Sequence, residues 1–283
     1  GPADEHRDAW RAIATTAWVS ATGDTPGPVH LNLPFREPLL GVVRELPVAT
    51  SISLIAPPPV VVDELVELLG ASRGVIVAGK GNDDPDRVQM LADATGWPVL
   101  ADPLSGCQML DAAVVRFDSL LRHAGFADGH CPEVVLQLGM PPASKVLALW
   151  LAASGATHVA VSSVGLVSDP NLLGARQVHA PIGPLCAQLA AGVTGDRDRA
   201  WMEGWLHADR VARSVLDAAL STEQNLSEPG AARAITASVP TGGHLVVASS
   251  MPVRDVEWFG TPRSDVTVHS NRGANGIDGV IAT

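Results

Sequence analysis

The chain has 283 residues, 46% of them hydrophobic but only 4% aromatic, with no tyrosine. That length allows two domains, or one with flanking pieces, and the abundance of small apolar residues suits helices packed closely on a buried parallel sheet. A formal net charge of −11 argues against a nucleic-acid or anionic-membrane surface, which would repel it.

Taken in order, residues 5 to 21 predict an amphipathic helix, because Ala9, Trp10, Ile13, Ala14, Ala17 and Trp18 recur at three- and four-residue spacing. A Gly/Pro turn at 23 to 28 ends it, and Val29 to Leu33 reads as a short strand closed by Pro34. Pro47 and the run Pro57-Pro58-Pro59 make 44 to 62 an extended linker. A regular alternation follows: a helix at 61 to 70, strand 74–78 (GVIVA), a helix near 85 to 95 and strand 98–101 (PVLA). Strand 133–138 (EVVLQL), a helix at 143 to 154, strand 158–161, a strand near 177–180 and a helix at 183 to 191 continue it. Continuous apolar strands between helices indicate a parallel sheet covered on both faces. Residues 195 to 230 read as polar and helical, with GDRDR and STEQNLSEPG as joints. A helix at 229 to 238, strand 244–248, a helix from 251, strand 266–269 and a Gly-rich loop complete the chain.

Cys107, Cys131 and Cys186 show no CxxC spacing and cannot all pair with one another, which fits a reduced, cytoplasmic setting. No apolar run reaches the roughly 18 residues of a membrane span. The chain opens on Gly-Pro and stops at Thr283, and both ends are expected to be cuts in a longer protein.

Three places carry candidate chemistry. Gly79-Lys80-Gly81 follows a strand, as in a dinucleotide fingerprint, but the third glycine is replaced by Asp84, beside Asp83 and Asp86. Three carboxylates would repel a pyrophosphate, so a plain strand-to-helix turn is the expected reading. Among the nine histidines no HxxxH, HExxH or Cys/His cluster occurs, and no GxSxG elbow is present. His30 and His269 are expected to be strand-end residues, and Trp97 and Trp150 core or interface aromatics.

Strand 244–248 then runs into SSMPVRD at 249–255, where a serine N-cap and Pro252 suit a helix start whose free N–H groups favour anions. Ser250 and Arg254 share one helix face. Alternatively, Ser250 only caps and Arg254 pairs with Asp255 or Glu257. The next strand feeds SNRGANGIDG at 270–279, whose glycines permit close backbone approach to a ligand. If the two strands are neighbours, Arg254 and Arg272 converge on one crevice. The alternative is an Arg272–Asp278 pair bracing the loop.

SSMPVRDVEWF and SNRGANGIDGVIAT closely resemble stretches of the 2-succinyl-5-enolpyruvyl-6-hydroxy-3-cyclohexene-1-carboxylate synthase family, thiamine-diphosphate enzymes of menaquinone biosynthesis. GPVHLNLPFREPL at 27–39, GWPVLADPLSG at 96–106 and QLGMPPASKVL at 137–147 extend the resemblance over nearly the whole chain. It implies an α/β protein with a parallel-sheet, Rossmann-like central domain flanked by partial thiamine-diphosphate-binding domains. The implied divisions are 1–45, the end of a pyrimidine-binding domain; 46–195, the central domain with its linker; and 196–283, the start of a diphosphate-binding domain. The implied reaction decarboxylates 2-oxoglutarate on thiamine diphosphate and adds the resulting carbanion to isochorismate, with Mg²⁺ or Mn²⁺.

By position, the resemblance makes Ser250, Arg254 and Arg272 substrate-binding. Lys145 joins them less securely, since the position after it, basic in some relatives, is Val146. Ser249, Asn275 and Ile277 would face the cofactor, Ile277 propping its bent form. The activating glutamate and the metal-diphosphate anchors fall outside this chain, so this stretch by itself is expected to be inactive. The parent is expected to be a homodimer or homotetramer. Two rival readings are a nucleotide-binding or regulatory Rossmann-like module and another thiamine enzyme such as an acetolactate synthase. The paired arginines favour substrates richer in carboxylates than pyruvate.

Overall fold

A computed structural model of the chain describes residues 7–22, 28–33, 62–82, 84–163, 175–194, 197, 199–222 and 225–271. The chain divides into two compact units, Gly1–Pro59 and Val60–Thr283.

In the first unit, helix α1 (Arg7–Thr22) forms where the spacing predicts it. Thr22 ends it by returning its hydroxyl to the Trp18 carbonyl at 2.8 Å. The strand expected at 29–33 does not form: residues 28–33 carry no regular structure. A strand exists through its ladder, and no described segment pairs with this one. The linker expected at 44–62 falls outside the described residues up to Val62.

In the second unit, six strands form one parallel sheet in the order β3-β2-β1-β4-β5-β6, the Rossmann order. They are β1 (Gly74–Ala78), β2 (Val99–Ala101), β3 (Ala113–Val114), β4 (Val134–Leu138), β5 (Thr157–Ser162) and β6 (Arg176–His179). Every residue of β1 is buried, as a central parallel strand requires. Because side chains alternate, the strands feed two cores. Ile76, Leu136, Leu138, Val159 and Val161 meet helices α2 (Val62–Leu68), α3 (Pro85–Thr95) and α7 (Ile182–Gly192) on one face. Val75, Val77, Leu100 and Val135 meet α4 (Phe117–Leu121) and α6 (Lys145–Ala153) on the other.

Helix ends follow local chemistry. Asp84 caps α3 by accepting from the Arg87 amide at 3.2 Å, with Pro85 in the first turn. Ser144 caps α6 by accepting from the Leu147 amide at 3.0 Å. The stretch 102–132, which has too little periodicity to read, holds a 3-10 turn (Pro103–Ser105), β3, α4 and α5 (Ala124–Gly129).

The long helix α8 (Ala200–Ser221) belongs to the core through its first half. Trp205, fully buried, meets Phe126 and Trp150 edge-on and completes the second core. Trp150 is buried there, and Trp97 is buried in the other core, each donating its indole N–H to a backbone carbonyl. The chain then forms α9 (Glu228–Ser238), β7 (His244–Ala248), α10 (Met251–Phe259) and β8 (Thr267–Asn271). β7 and β8 pair in parallel as a separate two-stranded sheet.

Replacing Trp205 by alanine should cost about 3–5 kcal/mol, the usual range for emptying a buried aromatic site. Urea unfolding followed by circular dichroism measures this; a loss below about 1 kcal/mol would show that α8 only rests on the surface.

Candidate functional site

In a sheet of this order, ligands ordinarily enter between the carboxyl ends of β1 and β4, where the chain direction switches. Here that crevice is filled by backbone. The Gly79 amide donates to the Leu138 carbonyl at 2.9 Å, and the Met140 amide to the Lys80 carbonyl at 2.8 Å. A Cβ on Gly79 would lie 1.7 Å from the Met140 carbonyl oxygen, and one on Gly139 (φ +77°) 2.3 Å from that of Lys80. The glycines therefore serve the approach of two turns to each other, and Asp84 already occupies the start of α3. The nucleotide-module reading is not favoured by this geometry.

β7 and β8 are neighbours in register, Ala248 opposite Asn271, as convergence of the two loops requires. Beyond Ala248, the Ser249 and Ser270 hydroxyls share a 2.8 Å hydrogen bond that ties the strand ends. Ser250 stands at the N-cap of α10, yet its side chain makes no capping bond and the residue is exposed. The capping alternative thus does not use its hydroxyl. Arg254, half-buried, turns back along the helix and donates to the Ser250 carbonyl at 3.0 Å. Among the described residues it forms no ion pair with Asp255 or Glu257. Arg272, Asn275 and Ile277 lie outside the described residues.

Lys145, the first residue of α6, is exposed. Ala143, two residues earlier, packs on the cluster of Val247, Val253 and Val256 from β7 and α10. The start of α6 and the helix carrying Arg254 therefore share one interface. His269 pairs with His244 across the strands, nitrogen to nitrogen at 2.8 Å, and His30 lies in the segment without regular structure. Among the described residues, no group of three or more His, Cys, Asp or Glu side chains could hold a metal ion.

A family model described as the middle domain of thiamine pyrophosphate enzymes matches residues 55–247. The chain belongs to the thiamine pyrophosphate enzymes. Its curated relatives include 2-succinyl-5-enolpyruvyl-6-hydroxy-3-cyclohexene-1-carboxylate synthases. That of Rubrobacter xylanophilus is 39% identical over 91% of this chain and 48% of its own length. That of Myxococcus xanthus is 37% identical over 96% and 50%, and that of Thermobifida fusca 35% over 97% and 49%. The chain spans about half the length of the curated relatives it matches.

Buried ionisable groups gather on and beside α10; of these the spacing pointed only to Asp255 and Glu257, and only as partners for Arg254. Glu257 is 1% exposed, and neither carboxyl oxygen has a hydrogen-bond partner. Burial pushes its pKa well up, and the buried carboxylates of Asp102 and Asp118 push it further. The Trp258 indole and the Arg254 charge pull the other way. Asp255, also buried, is raised by desolvation and by Glu228. On the neighbouring helix, Arg116 and Asp118 are 3% and 2% exposed. Arg116 donates to the Glu257 and Gly260 carbonyls at the end of α10, contacts that patterning along the chain does not announce because more than 140 residues separate the partners.

For an acid whose folded pKa lies above its unfolded value, the folded state binds more protons, so stability falls as pH rises. For Glu257 the loss should begin near 4.5, its ordinary value, and continue up to the raised folded value. Glu257→Gln keeps the shape and removes the titration. Thermal melts between about pH 5 and pH 8 should show the variant gaining on wild type as pH rises; parallel curves would mean Glu257 does not titrate in this window.

Proposed function

We propose that the chain forms part of an enzyme that decarboxylates 2-oxoglutarate on thiamine diphosphate and transfers the remaining unit to isochorismate. This is the synthase reaction of the relatives' name, placed in menaquinone biosynthesis. One observation in the fold carries the reading: Arg254 stands at the carboxyl end of β7, beside β8, and is not spent on a described carboxylate. Parallel strands present ligands at that end, and both proposed substrates carry more than one carboxylate.

Residues 1–45 are proposed as the end of a pyrimidine-binding domain, 46–195 as the central domain with its linker, and 196–283 as the start of a diphosphate-binding domain. Thiamine diphosphate, when bound, supplies carbanion stabilisation for the decarboxylation. The Ser249 hydroxyl at the joined strand ends is suited to a hydrogen bond with such a cofactor, and Asn275 and Ile277 are proposed beside it. For Mg²⁺ or Mn²⁺ the described residues offer no group of three or more His, Cys, Asp or Glu side chains. Ser250 and Arg254, with Arg272 and Lys145, are proposed to bind and orient substrate carboxylates. Arginine offers a planar fork that fixes both the position and the plane of a carboxylate. The parent is proposed to be a cytoplasmic homodimer or homotetramer. No described helix is long and apolar enough to cross a membrane.

In the full-length enzyme, Arg254→Ala should lower kcat/KM by roughly 10- to 150-fold, the equivalent of one charge-assisted hydrogen bond. Arg254→Lys should recover part of this, since it keeps the charge and loses the fork. Kinetics are to be read beside thermal stability: an alanine variant that melts early yet keeps wild-type kcat/KM would make Arg254 a brace and defeat the assignment.

A further inference from the structure

The two elements that carry the proposed substrate residues are not independent. Between them lies α4, a helix of five residues flanked by Arg116 at its start and Arg122 at its end. Each of its charged groups reaches one of the two elements. The Arg116 guanidinium donates through Nη1 to the Glu257 carbonyl at 2.9 Å and through Nη2 to the Gly260 carbonyl at 2.7 Å. It thereby caps the end of α10, where carbonyls are left without helical partners and the dipole favours a cation. Arg122 lies 5.1 Å over the Trp258 ring, a second hold on α10. Asp118 accepts from Arg122 at 2.7 Å with one oxygen and from the Ser144 hydroxyl at 2.5 Å with the other. Ser144 in turn caps α6, whose first residue is Lys145.

The start of α4 is fixed from a third side. Asp209 of α8, 3% exposed, accepts from the Val115 and Arg116 amides at 2.8 and 2.7 Å. Buried charged groups with directional partners tolerate little displacement, because a shift strands a donor or acceptor away from water.

The geometry points to α4 as a bracket that sets α10 against the start of α6, with Arg116 as a positioning residue for the Arg254 site. This rests on the substrate-site reading above and adds the residue that aims it. Arg116 touches no substrate; it acts by fixing the helix from which Arg254 projects. Lysine at 116 keeps the charge but reaches two carbonyls poorly, since it lacks the fork.

The test is a double-mutant cycle in the full-length enzyme with cofactor, combining Arg116→Lys with Arg254→Ala. Alongside it, amide hydrogen exchange is followed in 251–259 and, as a reference, in 74–78. Arg116→Lys alone should lower kcat/KM by roughly 10- to 100-fold, the scale of a small misplacement of a binding group. It should also speed exchange in α10 while leaving β1 protected. In the Arg254→Ala background the same change should have little further effect, because its influence passes through Arg254. An equal loss in both backgrounds would overturn the positioning role, as would faster exchange with unchanged kcat/KM. Unchanged exchange in α10 would overturn the bracket itself. If Arg254→Ala alone is silent, the substrate-site reading fails, and the positioning role with it. The exchange result still decides the bracket: faster exchange confined to α10 upholds it.

Discussion

The buried guanidinium of Arg116 constrains the rest of the arrangement. A charge taken out of water is costly unless its surroundings replace the lost hydration. Here two carbonyls at the negative end of α10 accept from its terminal nitrogens and the nearby charge of Asp209 favours it, while Nε is buried without a hydrogen-bond partner. Desolvation lowers its pKa to about 10, so it stays charged at neutral pH. The two bonds to the Glu257 and Gly260 carbonyls tie this cation to one placement of α10. Sliding the helix by one residue would leave the guanidinium and the terminal carbonyls without partners inside the core. The dock is therefore selective in a way that the apolar contacts of Val253 and Val256 are not, since apolar packing is non-directional.

That selectivity clarifies what the six-stranded sheet does. Its strand order is one that elsewhere offers a ligand crevice, but Gly79, Lys80, Gly139 and Met140 close it with hydrogen-bonded backbone. Closing that crevice leaves other segments at the carboxyl end of the sheet to meet the second pair of strands. The 3-10 turn after β2 and the loop after β4 lie there, and Leu104 and Ala143 from these segments pack on the β7–α10 cluster. The central sheet thus acts as a platform for a second, smaller sheet.

Much of this was legible in the sequence, for reasons that differ by element. The runs GVIVA and EVVLQL announce buried parallel strands because both faces must be apolar, whereas the caps Asp84 and Ser144 emerge only with the helices they start. The pairing of β7 with β8, which chain order offers only as a condition for the two loops to converge, is present in register. The expected strand at 29–33 has no ladder partner among the described residues, which five residues of sequence cannot reveal. Residues 102–132 were unreadable because a strand of two residues and helices of five and six complete too few periods to leave a pattern. Ser250 shows a subtler limit: sequence placed it correctly at the helix start, but not the absence of its capping bond. The contacts of Arg116 with α10 join residues that only the fold brings together.

The helix α10 also shows why spacing alone left Arg254 ambiguous. Arg254 and Glu257 stand at i and i+3, a separation that commonly supports an ion pair. The fold removes that option by burying Glu257 beside Asp102 and Asp118, an environment that disfavours its charged form. A carboxyl held toward its neutral form attracts a guanidinium weakly. Arg254 instead turns toward the start of the helix, bonded to the Ser250 carbonyl and still holding donors for an incoming anion. A pair that would satisfy both groups on an isolated helix is thus separated by tertiary burial. The acid is drawn into the interface that orients α10, and the base is left at the strand ends where a carboxylate ligand would arrive.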